Sequence, residues 1–259
     1  MKNIDPKTLK QAQRVMLDSL ISFDKICEKH QLKYWLDSGT LLGAVRHDGF
    51  IPWDDDIDIS MPIEDYQKFM TVAQDELDAG LFLQSKQTDP CFPFDYMKIR
   101  SDRATIIEFH EDGKKIDYHQ GVFVDIFPML AIKNTPLNRR FYRYAFAAIR
   151  LFSAKHFLVN WLRGLLVKAL HRLHLGWGHT DSIVIYGGEM PDVAAYFDYN
   201  SLYPLKKKSF EHLEFNAPND SKAYLKQIYS FNFMELPPED KRTIHAAAIS
   251  LKTKRDDIE

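Results

Sequence analysis

DSGTLLGAVRHDGFIPWDDDIDI, residues 37–59, is the stretch on which both the fold and the chemistry turn. Its end, Asp56-Ile57-Asp58-Ile59, alternates acid with aliphatic. Side chains of a strand point to opposite faces in turn, so this pattern predicts two carboxylates on one face and two isoleucines toward a core. Two carboxylates held that close on a rigid strand repel each other. They are tolerated where a divalent cation sits between them, and Mg²⁺ favours such oxygen donors together with substrate phosphate. Read alone, the triple Asp54-Asp55-Asp56 fits a solvated acidic turn equally well. The aliphatic alternation weighs against that, because a solvated turn has no use for two buried positions. A calcium loop counted from Asp54 would need Gly at the sixth place and Glu at the twelfth. Ile59 and Asp65 stand there instead.

Upstream, Gly39-Thr40 marks a strand-to-helix turn. Glycine there lets backbone approach a phosphate, and the amides of the helix that follows can donate to it. No GxxxxGK[ST] and no GxGxxG occurs in the chain, which removes the main support for phosphate-loop and dinucleotide-binding readings.

Working outward, Asp5-Pro6 is a helix start. Leu9, Ala12, Met16, Leu20, Phe23 and Cys27 follow at spacings of three and four, predicting a helix over 6–29. Strands are expected at 32–36, 57–61, 81–85, 96–100, 106–110 and 121–127. Helices are expected at 40–46, 63–77, across 138–174, and at 221–229. This order has no strict strand–helix–strand rhythm, so the fold class is α/β or α+β around one mixed sheet flanked by helices. The 259 residues suffice for one large domain. The expected division is a core at 1–135, a basic helical insertion at 136–198, and a part completing the core at 199–259.

Cys27 and Cys91 are the only cysteines, too few for a four-thiolate zinc site or a disulfide framework, so no zinc is expected. The N-terminus breaks its apolar residues with charge, unlike a secretory signal, and no run of eighteen apolar residues occurs. A cytoplasmic protein is expected, peripheral at the inner face of the cell membrane.

Charge is distributed unevenly. Between Asp125 and Asp181 there is no acid and there are nine lysines and arginines, so a net charge of −2 conceals −11 on the remainder. Basic groups interleaved there with Phe141, Tyr144, Phe146, Phe152, Phe157 and Trp161 suit the surface of an anionic membrane, or equally a helical subdomain with one wet face. Nucleic acid is not expected, since no recognition motif accompanies the charge.

Glycine-threonine followed by DxD on alternating aliphatics resembles the polymerase β-type nucleotidyltransferase superfamily. More specifically, residues 39–59 resemble the LicD family, whose signature is close to GTLLGAVRHxGFIPWDDDIDI. The likeness continues in YMKIR (96–100), GVFVDIFP (121–128), YPLKKKSFEHLEF (203–215) and NDSKAYLKQIY (219–229), and weakly at His245. It implies a nucleotidyltransferase-like fold. It also implies transfer of phosphocholine from CDP-choline to a teichoic acid or lipopolysaccharide glycan, lipid-linked or not, with release of CMP. The related fukutin-type proteins imply a phosphopolyol from another CDP-alcohol. An ordinary nucleotidyltransferase would instead move NMP and release pyrophosphate.

By that resemblance Asp56 and Asp58 hold one or two Mg²⁺ ions, or Mn²⁺. Asp125 is the candidate third carboxylate and Asp54 its rival. Gly39 and Thr40 are expected at the substrate, and Arg46, Lys98 and Arg100 at the diphosphate. For the quaternary ammonium of choline, which favours aromatic faces by roughly 0.5–2 kcal/mol, Trp35, Trp53, Phe92, Phe94 and Tyr96 are near, with Trp53 first.

Overall fold

The computed structural model describes residues 4–151, 157–173, 181–187, 195–229 and 232–251. In chain order these form α1 (Pro6–His30), β1 (Trp35–Leu36), α2 (Ser38–Arg46), β2 (Asp58–Pro62), α3 (Ile63–Glu76), β3 (Leu81–Gln84) and β4 (Met97–Glu108). There follow β5 (Gly121–Lys133), α4 (Pro136–Leu151), α5 (Phe157–Arg172), β6 (Ser182–Tyr186), β7 (Phe197–Asp198) and α6 (Tyr199–Leu202). The hairpin β8 (Lys206–Phe210) and β9 (Leu213–Ala217), α7 (Ser221–Ile228) and β10 (Ala246–Leu251) complete the order.

The strand β5 is the axis of the sheet. Its sequence GVFVDIFPMLAIK is buried at every position but the last, as a central strand covered on both faces requires. Parallel β2 lies on one side of it. On the other side, antiparallel β4 pairs with residues 121–126 and antiparallel β6 with 129–133. Pro128, which has no N–H to donate, falls where β5 passes from β4 to β6. β1 extends the sheet beyond β2, and β10 extends it beyond β4. The mixed sheet flanked by helices is therefore the architecture the element order predicts.

Helix α1 begins as expected. The Asp5 carboxylate accepts from Thr8 N at 3.0 Å, and the apolar stripe from Leu9 to Cys27 is buried. It packs against β4, β5 and β10. Ile57 and Ile59 are fully buried, each contributing about 1.5–3 kcal/mol.

Several expectations are corrected. The strand expected at 57–61 is β2, one residue later, so Asp56 lies in the segment leading into it. The strands expected at 96–100 and 106–110 are one strand, β4, bent by a register shift between Ser101 and Thr105. The helical stretch expected across 138–174 is two helices, and β6 and β7, at 182–186 and 197–198, join the sheet. No helix among the described residues is long and apolar enough to cross a membrane.

Candidate active site

One end of the sheet opens into a cleft of about 880 Å³. Asp54, Asp56 and Asp58 line it, with Ser38 and Gly39 of α2, Trp53, Tyr186 of β6, Tyr229, and, ahead of β10, residues that include Phe233, Pro237, Lys241 and His245.

Asp58 is held by its own backbone. Its N–H donates to Thr40 Oγ1 at 2.8 Å, and its carbonyl accepts from Asp37 N at 3.0 Å. Thr40 is thus a buried positioner of the Asp58 backbone and does not line the cleft. Asp37 caps α2 through Ser38 N at 2.7 Å, and also accepts from the hydroxyls of Ser60 and Tyr186. This carboxyl is fully buried, and burial raises its pKa. Sequence reasoning passed over Asp37, although its place just before the Ser-Gly-Thr turn is a capping signal.

Gly39 serves a different close approach from the expected one. A Cβ there would meet Asp54 Oδ2 at 2.9 Å, so the glycine admits a carboxylate of the same chain. The left-handed residue of the turn is Ser38, at φ 43°. Gly43 is needed as well, because a Cβ would stand 2.4 Å from the Gly49 carbonyl oxygen.

In strand register, Asp58 of β2 sits beside Asp125 of β5, and Asp125 beside Lys98 of β4. The row is acid, acid, base across three neighbouring strands. Asp125 Oδ2 accepts from Lys98 Nζ at 3.2 Å. Oδ1 lies 3.0 Å from the same ammonium, yet has no partner in hydrogen-bond geometry. Burial pushes the Asp125 carboxyl up to about 6, against the pull of Lys98. Asp58 is raised well above the carboxylate range, first by burial and then by Asp56, Asp125, Asp37 and Asp54. Asp54, 8% exposed, is raised by burial and then by Asp56 and Asp55. A cluster of oxygen donors at mutual cost is the donor set a hard divalent cation fits.

The expected cations divide. Arg46 lines the cleft, but its guanidinium also donates to the Phe233 carbonyl at 2.7 Å and to His47 Nε2 at 2.9 Å. Lys98 and Arg100 are each 1% exposed, and neither lines the cleft. Lys98 neutralises Asp125 and lies over the Phe123 ring, 3.3 Å from its centroid. Arg100 donates to Gln84 Oε1 and to the Gly121 carbonyl, both at 2.7 Å. Lys98 and Arg100, expected at the diphosphate, are thus placed off the cleft lining, with their charged heads engaged inside the sheet. Lys241, exposed at the cleft wall, is the cation that sequence reasoning missed.

The aromatics divide too. Trp35 is buried and donates to the Tyr224 hydroxyl at 3.0 Å. Phe92, Phe94 and Tyr96 pack on one another outside the cleft lining. Trp53 does line the cleft, with the Arg242 guanidinium 4.4 Å from its ring centroid. Tyr229 also lines it and was missed.

The middle acid of the run, Asp55, ties β10 to the motif. Fully buried, it accepts from His245 N at 3.1 Å and from Ala246 N at 2.5 Å. That places the His245 ring 3.2 Å from Asp56 Oδ2. Hydrogen bonds to Asp55 and Asp56 push the imidazole up to about 11, so it is an imidazolium in this arrangement. Asp55, Asp56 and His245 present ligand atoms within 4.8 Å of one another.

A family model described as LicD/FKTN/FKRP, nucleotidyltransferase domain, matches residues 31–157. Over 263 residues, 92% of this chain and 96% of the relative, the sequence is 28% identical to lipopolysaccharide cholinephosphotransferase LicD of Haemophilus influenzae. Over 40 residues it is 48% identical to ribitol 5-phosphate transferase FKRP of Homo sapiens, covering 15% of this chain and 8% of that protein. A stretch of 41 residues, 16% of this chain, is 58% identical to an uncharacterized protein of Rickettsia prowazekii and covers 15% of it.

Proposed function

Taking as premise that the chain belongs to the LicD family and is a phosphotransferase, we propose that it moves phosphocholine from CDP-choline to a hydroxyl of a cell-surface glycan. CMP is the leaving group. In its coarser form the reading is transfer of a phosphorylated alcohol to a glycan, and it rests on the relatives. The observation that carries it to particular residues is the set Asp54, Asp56 and Asp58 lining one cleft, with Asp125 in register beside Asp58.

Asp56 and Asp58 are the proposed ligands of Mg²⁺, with Asp125 as the third carboxylate. The bound ion would neutralise the diphosphate and the leaving CMP. Lys98 keeps Asp125 ionised until then. Asp54, the rival for the third place, is placed on the cleft wall with a raised pKa, and takes the proton of the acceptor hydroxyl. The acceptor oxygen attacks the phosphorus bearing choline, and the bond from that phosphorus to the CMP oxygen breaks. Arg46 and Lys241 hold the diphosphate across the cleft.

Head-group choice rests on the aromatic walls. Tyr229 and Trp53 suit a quaternary ammonium. A specific observation favours a second reading: Arg242 already covers Trp53, so an uncharged polyol would leave that pair intact where choline would displace it. A CDP-polyol is then the donor.

Purified protein with Mg²⁺, a glycan acceptor extract and either CDP-choline, CDP-ribitol or CTP separates these. CMP from CDP-choline supports the first reading, and CMP only from CDP-ribitol the second. Pyrophosphate from CTP would overturn both in favour of nucleotidyl transfer.

A further inference from the structure

Of the eleven large hydrophobic side chains exposed among the described residues, seven lie between Leu137 and Leu173. Six of the seven sit on α4 and α5 and Leu173 follows α5, and so contiguous an apolar surface marks an interaction site. On α4 the buried positions Tyr142, Phe146 and Ile149 make one stripe, facing the core. Leu137, Phe141 and Tyr144, at spacings of four and three, make a second stripe on the opposite side, 76%, 49% and 63% exposed. Helix α5 repeats the pattern. Val167 and Leu170 are buried, while Leu162, Leu165 and Leu166 are exposed. A helix with one apolar stripe is explained by its core; a second, exposed stripe needs another partner.

The charges beside these stripes are of one sign. Arg140 and Arg143 on α4, and Lys168 and Arg172 on α5, are exposed, and no acid occurs between Asp125 and Asp181. A second copy of the chain would set like charge against like across a two-fold interface, which opposes pairing. Nucleic acid would use the arginines but leave exposed leucine and phenylalanine unexplained. Both features are met together by a surface with acyl chains beneath phosphate headgroups.

We propose that α4 and α5 seat this protein on an anionic lipid bilayer, with Leu137, Phe141 and Tyr144 entering the interface and Arg140, Arg143, Lys168 and Arg172 meeting the headgroups. The binding is peripheral, since neither helix is able to span a bilayer. It is weakened by salt, because exposed charge is screened over about 8–10 Å at physiological ionic strength. The proposal stands independently of the donor, so it survives any outcome of the nucleotide assays.

The test is co-sedimentation of the full chain with vesicles of phosphatidylcholine plus phosphatidylglycerol, against phosphatidylcholine alone. Binding to the anionic vesicles only is expected. The pairs Arg140→Glu/Arg143→Glu and Leu137→Ser/Phe141→Ser should each lower partitioning about tenfold or more. Thermal unfolding should be unchanged, because all four side chains are exposed. Wild-type protein that leaves anionic vesicles unbound overturns the proposal, and so do variants that bind as well as wild type. A lipid-free dimer that Phe141→Ser converts to monomer also overturns it, assigning the face to a second copy.

Discussion

The cleft around Asp56 and Asp58 and the pair α4–α5 both hold an excess of one charge, and they hold it differently. In the cleft the acids are concentrated and fixed. The Asp58 peptide is pinned by Thr40 and Asp37, Asp55 is saturated by amides of the β10 end, and burial raises the Asp54, Asp58 and Asp125 carboxyls. On α4 and α5 the basic residues Arg140, Arg143, Lys168 and Arg172 occupy exposed positions. Buried like charge destabilises the fold and persists where a ligand is to neutralise it; exposed like charge costs little and serves long-range attraction. On the readings proposed above, the first arrangement serves chemistry and the second placement.

The sharpest separation comes from Asp58→Asn. Turnover should fall about 10³-fold or more, the equivalent of several kcal/mol of lost charge stabilisation. In metal-free buffer the same variant should melt higher, by roughly 2–4 °C for each kcal/mol of repulsion relieved. A variant that loses activity and stability together would mean Asp58 is structural.

Arg100→Met is the converse. Gln84 Oε1 and the Gly121 carbonyl lose their donor, so stability should drop by about 2–5 kcal/mol in denaturant unfolding. The KM for the donor should not change. A raised KM with unaltered stability would restore the expectation that this arginine meets the diphosphate.

Thr40→Val removes the acceptor of the Asp58 amide while keeping the shape, and should cost about 1–3 kcal/mol. The accompanying loss should appear in kcat with KM held, because the carboxylate is displaced and no substrate contact is removed. Smaller again is Trp53→Leu. If choline lies on that ring, KM for CDP-choline should rise roughly 2–30-fold, in line with about 0.5–2 kcal/mol. If a polyol is the head group, Arg242 merely loses its platform and KM should hardly move.

What the sequence makes legible is the local part. The alternation at 56–59 correctly turns Ile57 and Ile59 into the core and both acids to the cleft, and the Asp5-Pro6 start and stripe of α1 are as read. What it hides is which distant ends meet. His245 reaches Asp56 only because β10 pairs with β4, and spacing along the chain carries no trace of that pairing. Lys98 and Arg100 look like ligands because charge in a motif usually is exposed; their burial follows from the register of β4 against β5. The hairpin β8–β9 escapes because its turn uses Glu211 and His212 at φ 49° and 67°, without the Asn-Gly that normally signals such a turn. The polar Ser101-Asp102-Arg103 likewise disguises β4 as two strands.

The central claim is that the Asp56–Asp58 pair carries phosphotransfer from a CDP-linked donor. Its most direct test is CMP formation by wild type, Asp56→Ala and Asp58→Asn, each with and without Mg²⁺, at matched folded concentration. Mg²⁺-dependent CMP is expected with wild type and almost none with either variant. CMP release that is indifferent to both substitutions would contradict it.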